Sequence, residues 1–288
     1  MEEKKQKKRG CFGCLPIVII AILLIGGGIG FWYLRGVYKI SKAEQLAGEY
    51  LNKKYNENFA VSNGKYIWAT NSYTFDASPK DDPEFKFSVF LSNFYKGDIG
   101  DMYVLSKGNR ETKKLVSPYI NALSENNFYI ANYGTEGNEA ILSDIHTNLL
   151  TLSQVLKKYP NQIKINLFVY YALDVTEQNR NDIFKKVYSL VKFLKKKEFG
   201  EIGIVIYFYP SNILNGKKIK EVYKSRENEF DDKHWRKRDY SIAIGTKALS
   251  TIKTWQDIGN HFDKWNSTTN KWEKVINISH KSNREITK

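Results

Sequence analysis

Twenty consecutive residues without a charge, LPIVIIAILLIGGGIGFWYL from Leu15 to Leu34, constrain this chain more than any other feature. As a helix rising 1.5 Å per residue, such a run is about 30 Å long, the thickness of a bilayer's hydrocarbon core. Helices of water-soluble proteins usually carry charges on one face. The run therefore predicts a transmembrane helix over residues 15–35. Ahead of it lies MEEKKQKKRG, in which Lys4, Lys5, Lys7, Lys8 and Arg9 are basic. The positive-inside rule assigns this tail, residues 1–14, to the cytoplasm. Residues 36–288 are then expected to be extracytoplasmic, in a single-pass protein of the cell membrane. Phe31, Trp32 and Tyr33 at the far end of the run fit an aromatic belt at the membrane interface. Gly26 and Gly30 form a small-xxx-small pair that could pack two anchors together. A cleaved export signal is the rival reading. Its apolar core usually spans about 7–15 residues and ends at a small-x-small site. Here the run is longer and ends in Phe-Trp-Tyr-Leu-Arg. Reversed insertion, with the bulk of the chain in the cytosol, is a further alternative.

The 288 residues carry 45 Lys+Arg against 31 Asp+Glu, a formal net charge of +14. That balance favours acidic partners. Hydrophobic residues make up 42%, enough for a core, which excludes wholesale disorder. The two cysteines, Cys11 and Cys14, both precede the apolar run. A disulfide-stapled fold and a four-cysteine zinc site are thereby excluded. No metal and no cofactor are expected.

Beyond the run, Ser41-Lys-Ala-Glu44 matches a capping box that would open a helix with Leu46, Ala47 and Tyr50 on one apolar face. GKYIWATNSYTFDAS and EFKFSVFLSNFYKG are dense in β-branched and aromatic residues and predict strands, joined by the turn SPKDDP. Phe85, Phe87 and Val89 alternate with Lys86 and Ser88, as one buried face requires. The order is EYLNKKYNENFAV, an aromatic strand, ASPKDDPEFKFSV, then Asp101-x-Tyr103. Over residues 41–105 it resembles small modules of uncharacterised exported or membrane-anchored proteins of low-GC Gram-positive bacteria. Its helix-then-strands order is similar to cystatin-like folds. The resemblance implies an exported, envelope-facing module and carries over no catalytic residue.

Further on, residues 111–124 predict a helix containing Pro118. Residues 138–158 predict one amphipathic helix, with Ile141, Ile145, Leu149, Leu152 and Leu156 at helical spacing and Pro160 after its end. IKINLFVYYAL, TEQNRNDIFKKVYSLVKFLKKK and EIGIVIYFYP then read strand, helix, strand. That order fits a βαβ crossover whose helix is capped by Thr176. SIAIG reads as a strand, ALSTIKTWQDIGNHFDKW as a helix and KWEKVINIS as a closing strand. The expected fold class is α+β. A single transmembrane helix is followed by one or two mixed extracytoplasmic modules, residues 36–108 (the first, cystatin-like) and 109–288.

Chemical motifs are scarce. No Gly-x-Ser-x-Gly elbow, His-Glu-x-x-His helix, Walker loop or Gly-x-Gly-x-x-Gly turn occurs. His146 and His261 each have an aspartate two residues away, a spacing that points to different faces of a helix. The most distinctive segment is Lys233-His234-Trp235-Arg236-Lys237-Arg238, an aromatic among cationic groups suited to an anionic partner. A solvated loop balanced by Asp231, Asp232 and Asp239 is the plainer account of it. With an outward topology, nucleic acid is not an expected partner. The sequence thus favours a non-enzymatic, membrane-anchored envelope protein. It would contact the lipid bilayer and bind a protein or an anionic wall or lipid component, in an accessory, immunity or assembly role. The alternative is a carboxylate-dependent cell-envelope hydrolase using Asp81, Asp82, Asp98 or Asp101. Such chemistry needs two carboxyl groups about 5–9 Å apart across a cleft.

Overall fold

The computed structural model of the chain describes residues 36–92, 98–135, 137–214, 218–224, 239–266 and 271–274, with Phe31 and Leu34. They form two units, divided between Tyr103 and Val104.

The first unit is a helix, α1 (Ile40–Tyr55), followed by four strands: β1 (Phe59–Ile67), β2 (Ser72–Pro79), β3 (Phe87–Ser92) and β4 (Asp98–Asp101). The strands pair antiparallel in the order β1-β2-β3-β4. Phe87, Val89 and Leu91 of β3 are buried while Phe90 and Ser92 are exposed, the period of two that a one-sided sheet imposes. The face that α1 buries is Ala43, Ala47, Leu51 and Tyr55, a ladder of i,i+4 steps, with Leu46 and Tyr50 only half-buried. The expected face is therefore rotated. The two alanines let the helix lie close to β1, β2 and β3. Tyr55, Phe59, Phe85, Phe87 and Tyr103 form an aromatic cluster with ring centroids 4.5–6.0 Å apart. Each such pair adds about 0.5–1.5 kcal/mol beyond simple burial. The capping box expected at Ser41 does not form. The N-cap is Lys39, without a side-chain cap bond, and residues 36–38 are already helical. The Ala43 N–H is taken by the Lys39 carbonyl, so Ser41 sits inside the helix.

The second unit starts within α2 (Tyr103–Asn121), which runs through Pro118. It continues with β5 (Asn127–Gly134), α3 (Glu139–Asn148), α4 (Leu152–Lys158), β6 (Lys164–Ala172), α5 (Glu177–Lys195) and β7 (Glu201–Tyr209). After these come α6 (Ile219–Lys224), β8 (Tyr240–Ile244), α7 (Thr246–Thr251), β9 (Phe262–Asn266) and β10 (Lys271–Lys274). The six strands form one sheet in the order β10-β9-β8-β7-β6-β5. β6 and β7 pair in parallel and the other neighbours antiparallel. A parallel pair needs a crossover, and α5 supplies it. Thr176 caps α5 in a capping box closed by Asn179. Ile183, Phe184, Val187, Leu190, Val191 and Leu194 of α5 are buried. Phe184 meets Phe262 edge-on at 5.2 Å, and Tyr119 of α2 stacks on Phe193 at 4.4 Å. α2 and α5 thus share one layer over the sheet.

Two expected helices are divided. The segment 138–158 breaks at Leu149, which takes a left-handed conformation (φ 50°), and restarts at Thr151 in a capping box with Gln154. The segment after Ile244 becomes α7, a 3-10 turn (Gln256–His261) and then β9, where Phe262 is buried beside Ile242.

The transmembrane part of the expected fold class, and the single-pass membrane localisation drawn from it, are corrected. Among the described residues no helix is long and apolar enough to cross a membrane. The physical reason is amphipathicity. Both 19-residue helices carry charges along one side, Lys107, Arg110, Glu111, Lys113 and Lys114 on α2 and Asp182, Lys185, Lys186 and Lys192 on α5. Each therefore buries only a stripe. Of the expected membrane segment 15–35, Phe31 and Leu34 are described, both helical and exposed. The residues assigned to the membrane interface with Phe31, Trp32 and Tyr33, lie outside the described residues. So do the helix-packing pair Gly26 and Gly30, and Cys11 and Cys14.

Candidate binding groove

The six residues expected to bind an anionic partner, Lys233, His234, Trp235, Arg236, Lys237 and Arg238, lie outside the described residues. Of the carboxylates named for the hydrolase alternative, Asp81 and Asp98 are exposed and Asp101 is engaged by neighbouring donors. Asp81 and Asp82 lie on the turn after β2, where the Asp82 N–H donates to the Pro79 carbonyl at 3.1 Å and the Asp82 carbonyl accepts from Phe85 at 3.0 Å. Asp98 is exposed at the start of β4, opposite Ser92.

Asp101, at the end of β4, has no exposed side-chain surface. It accepts hydrogen bonds from the Tyr55 hydroxyl (2.6 Å), Lys54 Nζ (2.8 Å), the Tyr103 N–H (3.0 Å) and the Tyr50 hydroxyl (3.3 Å). Burial opposes its ionisation, but the bonds from Lys54, Tyr55 and Tyr103 outweigh it and hold the carboxyl below its ordinary range. Its oxygens are committed to fastening β4 to α1. His146 falls in the last turn of α3, and His261 ends the 3-10 turn. Burial, then the charge of Lys274, push the His261 imidazole below its ordinary value. Among the described residues no group of three His, Cys, Asp or Glu could hold a metal ion.

The second unit contains an open groove of about 420 Å³. That lies within the range of small-ligand sites, about 300–1,000 Å³. Leu115 of α2 and Leu152 and Leu156 of α4 give it an apolar floor, with Ser153 beside them. Lys157 of α4 and Lys196, Lys197 and Glu198, just beyond α5, complete its lining. The floor is fixed by local chemistry. Thr151 caps α4, and the Leu152 N–H also donates to the Glu111 carboxylate at 2.5 Å, tying α4 to α2. The opposite wall is fixed by the way α5 ends. The Lys196 N–H bonds the Leu194 and Phe193 carbonyls. Glu198 is left-handed (φ 53°), and its carbonyl accepts the Asn161 N–H at 2.7 Å. Gly200 follows because a Cβ there would stand 2.2 Å from the Asn161 carbonyl oxygen.

Neighbouring lysines are turned to other work. Lys195 donates to the Ile252 carbonyl at 2.8 Å, and Lys158 bonds Asp144 at 2.9–3.0 Å. The groove keeps Lys157, Lys196 and Lys197 against Glu198, a formal charge of +2. Lys157 falls in the last turn of α4, and Lys196 is the C-cap of α5. The sequence signal for this site was Lys195-Lys196-Lys197 at the end of a helix. Alone, that run reads as cations complementing a helix dipole. The leucine floor comes from residues about 40 and 80 positions upstream, which no local pattern connects to it.

No family model matches the chain, and no curated protein matches it. Among solved structures, a DUF5037 family protein from Ruminococcus gnavus is similar over 70% of this chain and 90% of that chain, with 13% identity and a TM-score of 0.40. A likeness at that level carries no argument about what this chain does.

Proposed function

We propose that the chain is a non-enzymatic binding protein, with an accessory role, whose second unit holds an anionic partner in the groove between α4 and the end of α5. The supporting observation is the pairing of a lysine rim with a leucine floor, in a chain of net charge +14. The charge draws an acidic partner from a distance and is screened by salt. Each exposed ion pair adds only about 0–1 kcal/mol, so the rim orients the partner more than it holds it. The floor contributes by removing apolar surface from water.

The test is fluorescence anisotropy of labelled hexaglutamate with the full chain and with a K157E/K196E/K197E variant. The expected result is binding at low ionic strength that weakens as salt rises, and loss of most of it in the variant. Basic residues elsewhere, including Lys4 to Arg9, are unchanged in that variant, so it isolates the groove. Binding that ignores salt, or is equal in both proteins, would refute the reading.

A further inference from the structure

We infer that the groove prefers a short peptide segment carrying one carboxylate beside an aliphatic side chain to a simple polyanion. This rests on the anionic-partner reading and names its ligand class. Two observations carry it. The lining sets Lys157, Lys196 and Lys197 against Glu198, a formal +2 that draws a carboxylate. Glu198, on the same lining, repels further negative charge at that wall. Beneath the rim, Leu115 and Leu156 are half-buried and so keep apolar surface free, while Leu152 is buried in the floor. A branched aliphatic side chain is the complement of that surface. Lys197, on the lining, also lies 5.2 Å from the centroid of the Phe193 ring, a cation–π contact that restrains its side chain. The ligand's carboxylate would meet Lys196 and Lys197, with its aliphatic group directed toward Leu156.

The experiment compares four labelled hexapeptides on the full chain. They contain one glutamate beside one leucine, one glutamate beside one serine, one glutamine beside one leucine, or six glutamates. The leucine–glutamate peptide is expected to bind about tenfold more tightly than the serine–glutamate peptide, the effect of burying most of one aliphatic side chain. It should bind several-fold more tightly than the glutamine–leucine peptide. Ser153→Leu, at an exposed position on the groove, fills it without touching the core. This variant should erase the leucine preference, and Leu156→Ser should do the same. If hexaglutamate binds as tightly as the leucine–glutamate peptide and the serine peptide matches it, the inference is overturned while the anionic reading stands. If none of the acidic peptides binds, both fall.

Discussion

Replacing Asp101 by asparagine removes the charge around which one end of the first unit is organised. The carboxylate takes four donors and has no exposed side-chain surface. An asparagine keeps one acceptor oxygen, and its amide group then faces donors. Hydrogen bonds to a charged group contribute about 1.5–3 kcal/mol. Lys54 is about a third exposed, so solvent screens the ion-pair share to about 0–1 kcal/mol. The expected loss is about 2 kcal/mol, close to 30-fold in an opening equilibrium. Hydrogen exchange of the β3 and β4 amides reads that loss within the first unit. The sign of the pH dependence follows from the shifts. Asp101 titrates below its ordinary range, so its contribution is present above the ordinary carboxylate value and is lost as pH falls through the lowered one. Burial lowers the Lys54 value, but hydrogen bonds to Asp101 and Tyr50 and the charge of Asp101 raise it overall. Its contribution is therefore complete below the ordinary lysine value and is lost only as pH rises through the raised one. The D101N protein should lose the acid-side dependence, and its base-side dependence should shrink because Asp101 no longer raises Lys54. Less than threefold faster exchange at neutral pH, or an unchanged acid profile, would refute the assignment of Asp101 as a structural clamp.

Other outcomes follow from single features. Thr176→Ala removes the cap of α5 and should lower stability by about 1 kcal/mol, measured by denaturant midpoint at constant slope. Thr176→Asp should restore most of it. Gly200→Ala sets a Cβ against the Asn161 backbone and should destabilise by about 1–3 kcal/mol, by overpacking with no positive φ to blame. Reversing the groove lysines should lower stability in thermal unfolding by about 1–3 kcal/mol, because each places an anion at a helix C-terminus that favours a cation by about 0.3–1 kcal/mol.

Where one period governed a segment, the sequence was readable. The α5 face of Phe184, Val187, Val191 and Leu194 and its Thr176 cap were both present in the spacing, and β6 and β7 followed as strands around it. Where two signals overlapped, the stronger one misled. The apolar series from Ile141 to Leu156 keeps helical spacing across the break, and only Thr151-x-x-Gln154 marks the restart. At Ser41 a capping pattern lies in a stretch that enters the helix already wound, so it has no unpaired N–H groups to serve. The groove was illegible for a different reason. Its lysines were visible, but the leucines that line it beside the charged helix end come from α2 and α4 and meet it only through the tertiary fold. Asp101 was visible as a carboxylate, and nothing local revealed that Tyr55 and Lys54, nearly fifty residues earlier, would occupy it.

The central claim is that the lysine-rimmed groove is where an acidic partner sits, and lysine acetylation footprinting reads this position by position. With the full chain and a saturating leucine–glutamate peptide, the account predicts slowed acetylation of Lys157, Lys196 and Lys197 and no change at Lys186 or Lys253. Uniform slowing at all of these lysines, or protection that leaves Lys196 and Lys197 untouched, would contradict it.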